Sequence, residues 1–271
     1  MLRRRIHIIL IFCLAVLACE KEYSWDFKTE DLDRVVVDGI ITNELRSQEI
    51  KLTRTNDELN QVPEPLSGAD IWVVADTNRF EFTEVSGIPG IYLSEPFQAV
   101  INQTYHLRVV VESDTFTASA GLEPVTPLSD LVTVLDSSRN QYRYIFNEGG
   151  RPSMTKVFYD WSEDSAYCQE YGSCMAQEAY YRLDNTDINE IFGPDTKVLW
   201  FPPGTIVVRE KYSLTESHQE FIRTLLMETD WSGGYFDVQH GNVRTNLSNG
   251  ALGYFAACMV VRDTSLVGIN K

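Results

Sequence analysis

The sequence predicts a mainly β fold, with an N-terminal β-sandwich followed by a second antiparallel β-rich domain that carries one prominent α-helix. Three observations predict it. Short apolar–polar alternations recur at roughly 8–12-residue spacing with turn residues between them, the mark of a sandwich. Pro124 and Pro127 interrupt that series and mark a boundary, giving domains at 34–125 and 126–271. Only one later stretch, about 214–228, carries apolar residues at helical period.

In the first domain, Val35–Ile41 reads as one strand, with Gly39 expected to introduce a bulge or bend. Gln48–Thr55 alternates, placing Ile50 and Leu52 on one face. A polar, Pro-containing loop over 56–67 leads to a strand through Ala75. Asp76-Thr77-Asn78 is a turn into a return strand bearing Phe80 and Phe82. Ile88–Tyr92 reads as another turn entering a strand. Tyr105–Val111 and Thr115–Ala120 form a hairpin around Ser113-Asp114.

In the second domain, Lys156–Trp161 alternates, with Val157, Tyr159 and Trp161 on one face. A loop carrying Cys168 and Cys174 follows, then a strand at Ala179–Leu183. Val198–Phe201 and Ile206–Tyr212 flank Pro202-Pro203-Gly204, a hairpin signal. Ser213 and Glu216 have capping-box spacing at the start of the helix, whose stripe is Phe221, Ile222, Leu225 and Leu226. Gly253–Val261 is a closing strand apolar enough to be buried on both faces.

The N-terminus has its own logic. Arg3, Arg4 and Arg5 precede an apolar run from Ile6 to Leu17, shorter than the roughly 20 residues needed to span a bilayer. Ala18-Cys19 closes it. A small residue followed directly by cysteine is what a bacterial lipoprotein signal requires, so residues 1–18 read as a leader and Cys19 as the acylated first residue of the mature chain. Residues 19–33 are charged and aperiodic, a tether. The formal charge of −16 excludes nucleic acid as a partner class, because such a surface repels phosphate backbones. An aromatic content of 11% rules out a disordered acidic tail.

Of the five cysteines, Cys13 leaves with the leader. Export favours a disulfide between Cys168 and Cys174, with a zinc site the alternative, although three thiols without a neighbouring histidine make a poor ligand set. Cys258 reads as an inert buried thiol.

Motifs of enzyme chemistry are absent from the sequence. His106, His218 and His240 lie far apart, with no His-Glu-x-x-His and no Gly-x-Ser-x-Gly. Asn185, Asp187 and Asn189 imitate part of a calcium loop, but Glu190 replaces its turn glycine and Thr196 its bidentate glutamate. No metal, cofactor or catalytic residue is therefore expected, and adjacent acids such as Glu163 and Asp164 read as surface charge. Trp72, Trp161, Trp200 and Trp231 raise sugar stacking against ordinary core packing. Trp231, beside Gly233-Gly234, is the least core-like and is the candidate ligand contact. The tyrosine- and acid-rich loop 162–177 is the expected recognition surface.

Certain stretches together resemble a known family. They are Cys19–Glu22, Val35–Thr42, Ser67-Gly68-Ala69, Pro89–Tyr92, Val207–Thr215, Gly234–Asp237, Gly241-Asn242-Val243 and Leu252–Ala257. Their order is similar to that of the domain-of-unknown-function 4249 family of Bacteroidota envelope lipoproteins. The resemblance implies a transthyretin-like or Ig-like first domain and a lipid-anchored, non-enzymatic outer-membrane protein. It also implies exposure at the cell surface, signalled by the acidic residues after Cys19, and service to a TonB-dependent transporter in substrate capture or docking. Its ligand would be a glycan or a peptide. A surface glycan-binding module or glycan hydrolase is the alternative, and a structural or adhesive role a third. Family members often carry cysteine near a tryptophan in the mid-region, whereas here tyrosines and glutamates surround Cys168 and Cys174.

Overall fold

The computed structural model describes residues 33–56, 61–184, 198–229 and 243–268. The leader, Cys19, the tether up to residue 32, the calcium-like segment, Trp231 and His240 lie outside them.

The first seven strands follow the expected alternation: β1 (Val35–Thr42), β2 (Glu49–Arg54), β3 (Asp70–Ala75), β4 (Asn78–Glu84), β5 (Ile91–Ser94), β6 (Thr104–Val111) and β7 (Asp114–Glu123). They do not divide into two facing sheets. With β13 (Leu252–Cys258) they close into one eight-stranded barrel in the order β1-β13-β7-β6-β3-β4-β5-β2. Alternation specifies that one face of each strand is buried; it does not say whether the covering layer is a second sheet or the same sheet curled round. The closing strand decides, and it comes from more than a hundred residues downstream. It pairs in parallel with both β1 and β7. Side chains fill the interior, as eight strands allow, among them Val37, Leu52, Ile71, Val73, Leu107, Val109 and Phe255.

Two glycines make this closure possible. Gly39 introduces no bulge against β13, since β1 keeps its register with that strand through the position, while pairing with β2 runs up to it. A Cβ there would approach Ile50 Cγ1 to 3.1 Å, so glycine leaves room for the core instead. Gly253 has φ +87°, and a Cβ would fall on the Val37 carbonyl oxygen.

The second sheet is antiparallel in the order β11-β10-β12-β14. It comprises β10 (Ser153–Asp160), β11 (Met175–Arg182), β12 (Ile206–Ser213) and β14 (Val260–Leu266). Only Met259 separates β14 from β13, so the predicted closing strand is two strands in two sheets. β13 is buried on both faces, as its composition requires: Phe255 and Ala257 enter the barrel core, while Tyr254, Ala256 and Cys258 enter a second core. The expected boundary near 125 coincides with the end of β7, yet the chain returns across it, and Asp33–Lys271 form one compact unit.

The second core lies under α2 (Glu216–Glu228), which buries His218, Ile222 and Leu226. Its cap differs from the expected one. Thr215 is the N-cap and accepts from the His218 amide at 3.3 Å, whereas Ser213 ends β12 and its hydroxyl accepts from the Met259 amide. The strand claims Ser213 because its pairing with the chain at Met259 fixes that residue. The opposite face of the sheet is covered by a hairpin, β8 (Thr133–Asp136) and β9 (Gln141–Tyr144), which the sequence reading missed. Phe201 pairs with Tyr142 rather than with β12, so Pro202-Pro203-Gly204 redirects the chain without making a hairpin.

Candidate functional site

The loop predicted between β10 and β11 holds a short helix, α1 (Ser165–Tyr171). Asp164 caps its start, Oδ1 accepting from the Tyr167 amide at 3.0 Å, and Gly172 in the left-handed conformation ends it. Asp164 is therefore the cap of this helix. Cys168 and Cys174 are bonded, with Cα atoms 4.5 Å apart, so the disulfide ties α1 to the entry of β11. Trp161, which follows β10, packs beneath α1. It is fully buried, its indole nitrogen donates to the Ser173 carbonyl at 2.8 Å, and Tyr167 and Tyr171 meet its ring edge-on at 5.3 and 5.0 Å.

Between α1, β11 and the segment 198–200 lies a cleft of about 490 Å³. Tyr167, Tyr171 and Trp200 contribute aromatic surface, and Glu170 and Glu178 contribute carboxylates. Tyr167 donates to the Trp200 carbonyl at 2.5 Å, which joins the two walls. Trp200 is backed by the Arg139 and Arg143 guanidinium groups, 5.7 and 5.9 Å from its ring. The Glu178 carboxylate is preorganised: Oε2 accepts from the Tyr159 hydroxyl at 2.5 Å and from the Tyr180 hydroxyl at 2.9 Å. Burial, reinforced by Glu178, pushes both phenols well above the usual tyrosine range, so they remain donors. Burial and then the neighbouring Tyr171, Glu170 and Asp164 push Tyr167 up as well. The cleft is thus lined by aromatic rings and carboxylates.

The other sequence candidates are elsewhere. Trp72 lies half-buried on the barrel wall, with Arg79 4.1 Å and Arg108 5.5 Å from its ring. His106 is exposed and bonds Ser119 Oγ at 2.8 Å. His218 is buried beneath α2, stacked on Tyr254 at 4.8 Å, and burial lowers its pKa to about 4. Cys258 is the free buried thiol expected, pushed up to about 12 by burial. Among the described residues, no three His, Cys, Asp or Glu side chains converge as metal ligands.

One cluster escaped the sequence reading. Arg209 and Lys211, both fully buried on β12, meet the fully buried Glu148 at 3.2 and 2.8 Å. Arg209 also bonds Asp263 and donates to the Ser129 carbonyl at 2.8 Å, while Glu148 accepts from the Ser129 amide. Its signal was available: Arg209 and Lys211 occupy the same strand face as core Val207. Every charge has an opposite partner, so the cluster pins the 127–149 segment to the sheet.

The family model described as "Domain of unknown function (DUF4249)" matches residues 20–264. The chain belongs to the DUF4249 family. The match includes the barrel, the second sheet and the cleft together, so the cleft lies within the family's domain and not in an appended segment. Comparison with curated proteins finds no match.

Proposed function

We propose that this DUF4249 protein is a non-enzymatic lipoprotein of the outer membrane, anchored through Cys19 and exposed at the cell surface. There it captures a ligand in the α1–β11 cleft and serves a TonB-dependent transporter. The observation that carries the capture reading is the cleft: aromatic rings on two walls, with a carboxylate held in place by two phenols before any ligand arrives. Preorganisation of this kind reduces the ordering cost of binding. The leader, the cysteine after Ala18 and the family resemblance support the anchor and the transporter.

The tagged protein, extracted from native membranes, is expected to bring down a β-barrel receptor. A Cys19→Ser variant is expected to leave the membrane fraction. Repeated extraction without a receptor contradicts the transporter role, and a Cys19→Ser variant that stays in membranes contradicts the anchor.

A second reading is favoured by the exposed ring of Tyr171, 47% accessible, facing the same cleft as Trp200. Such a pair suits stacking by a pyranose, as a surface glycan-binding module requires. Saturable glycan binding weakened about tenfold or more by Tyr171→Ala, some 1.4 kcal/mol, supports that reading. A clean negative on a broad glycan array removes it.

A further inference from the structure

We propose that the cleft takes an extended, basic oligopeptide, which adds to β11 as a fifth strand of the second sheet. This rests on the capture reading above and names the class of molecule captured, a free peptide cargo.

The first support is the position of the cleft. Ala176, Gln177 and Glu178 all line it. Successive side chains of a strand point to opposite faces, so a cavity that touches three consecutive residues abuts the strand's edge. Ala176 belongs with the core-facing side of the sheet and Gln177 is exposed, which fits that placement.

The second support is the character of that edge. β11 is terminal in its sheet, and among the described residues no strand pairs with its outer side at Ala176–Ala179. Edge strands are ordinarily blunted by proline, bulges, shortness or outward charge. β11 has eight residues, no proline, and unbroken register with β10 from Met175 to Arg182. Its two charges are engaged, Glu178 by the tyrosines and Arg182 by the Gly150 carbonyl. At the opposite edge of the same sheet the chain reaches across to β14: the Val260 amide donates to Asn43 Oδ1 and Arg262 pairs with Glu44. Among the described residues, the β11 edge at 176–179 has no strand partner and borders the cleft.

The third support is charge. The acidic side chains Glu170 and Glu178 line the cleft, in a chain of net charge −16. A strand whose side chains alternate between apolar and cationic complements a cleft in which aromatic rings and carboxylates are interspersed. Main-chain hydrogen bonds would supply affinity and the side-chain pockets selectivity.

The test uses the mature protein and a labelled peptide, acetyl-Lys-Val-Lys-Val-Lys-Val-amide. Expected are saturable binding by fluorescence anisotropy and slowed amide exchange at 176–179 but not in β14. Glutamate in place of lysine in the peptide, or Glu170→Lys in the protein, should weaken binding about tenfold or more. N-methylation discriminates edge pairing from mere charge attraction, because alternate residues of a strand turn their amides to the same neighbour. Methylating either the lysine or the valine amides should abolish binding, and methylating the other set should not. Equal tolerance of both sets, absence of protection at 176–179, or protection of those amides by self-association overturns the proposal. So does their protection by cello- or malto-oligosaccharides in place of the peptide, although the capture reading then survives. Recovery of a receptor without peptide binding sinks this inference alone, and peptide binding without a receptor sinks only the transporter role.

Discussion

His218 lies between the aromatic face of Tyr254 and the thiol of Cys258, 3.9 Å away, with Lys156 as a nearby cation. Burial disfavours its charged form, and Lys156 adds to the effect, so the folded pKa falls from 6.5 to about 4. The unfolded chain therefore binds the extra proton between those values, and stability must fall as pH drops through that window. The contribution is intact above about pH 6.5 and is lost progressively toward pH 4, on the order of 3 kcal/mol in all. Urea titrations at pH 7 and pH 4.5 should show this loss in the wild type and a smaller one in His218→Gln; equal slopes would refute it. The role of this histidine was not legible from sequence, because a single imidazole on a helix looks the same whether it packs or protrudes. Arg209 and Lys211 illustrate the opposite case. Their alternation with Val207 was visible, but their partner Glu148 lies 61 and 63 residues away and only the fold brings it there.

At the scale of elements, local pattern located most strands and the main helix, since those depend on period and turn chemistry. It missed α1, whose cap and terminal glycine were present but whose core is only seven residues long. It also assigned β13 and β14 to a single strand, because a continuous apolar run carries no mark where the chain leaves one sheet for another. The disulfide makes α1 consequential. It closes a short loop of sequence separation 6, for which chain entropy gives about 2 kcal/mol of stabilisation. Replacing Cys168 and Cys174 together by serine should cost about that much in urea denaturation. It should also release Tyr171 and Glu170 from the cleft wall, weakening ligand binding more than tenfold at a temperature where the fold persists. Unchanged affinity would mean that α1 does not form the site.

At the scale of the molecule, a barrel and a sheet share one continuous segment, β13 through Met259 into β14, so two cores are built on a single run of chain. Sequence alone suggested two successive domains because no periodicity reveals that a late strand completes an early sheet. The 162–177 stretch, singled out for its tyrosines and acids, does form a wall of the cleft, whereas Trp200 joined it only through the fold. Capture at that cleft is tested most directly by photocrosslinking in native membranes. A photoreactive residue would replace Tyr171 in one variant and Trp72, on the barrel wall, in another. Cleft capture predicts ligand adducts from position 171 that excess unlabelled ligand suppresses, and none from position 72. Adducts of equal yield from both positions, or from position 72 alone, would contradict it.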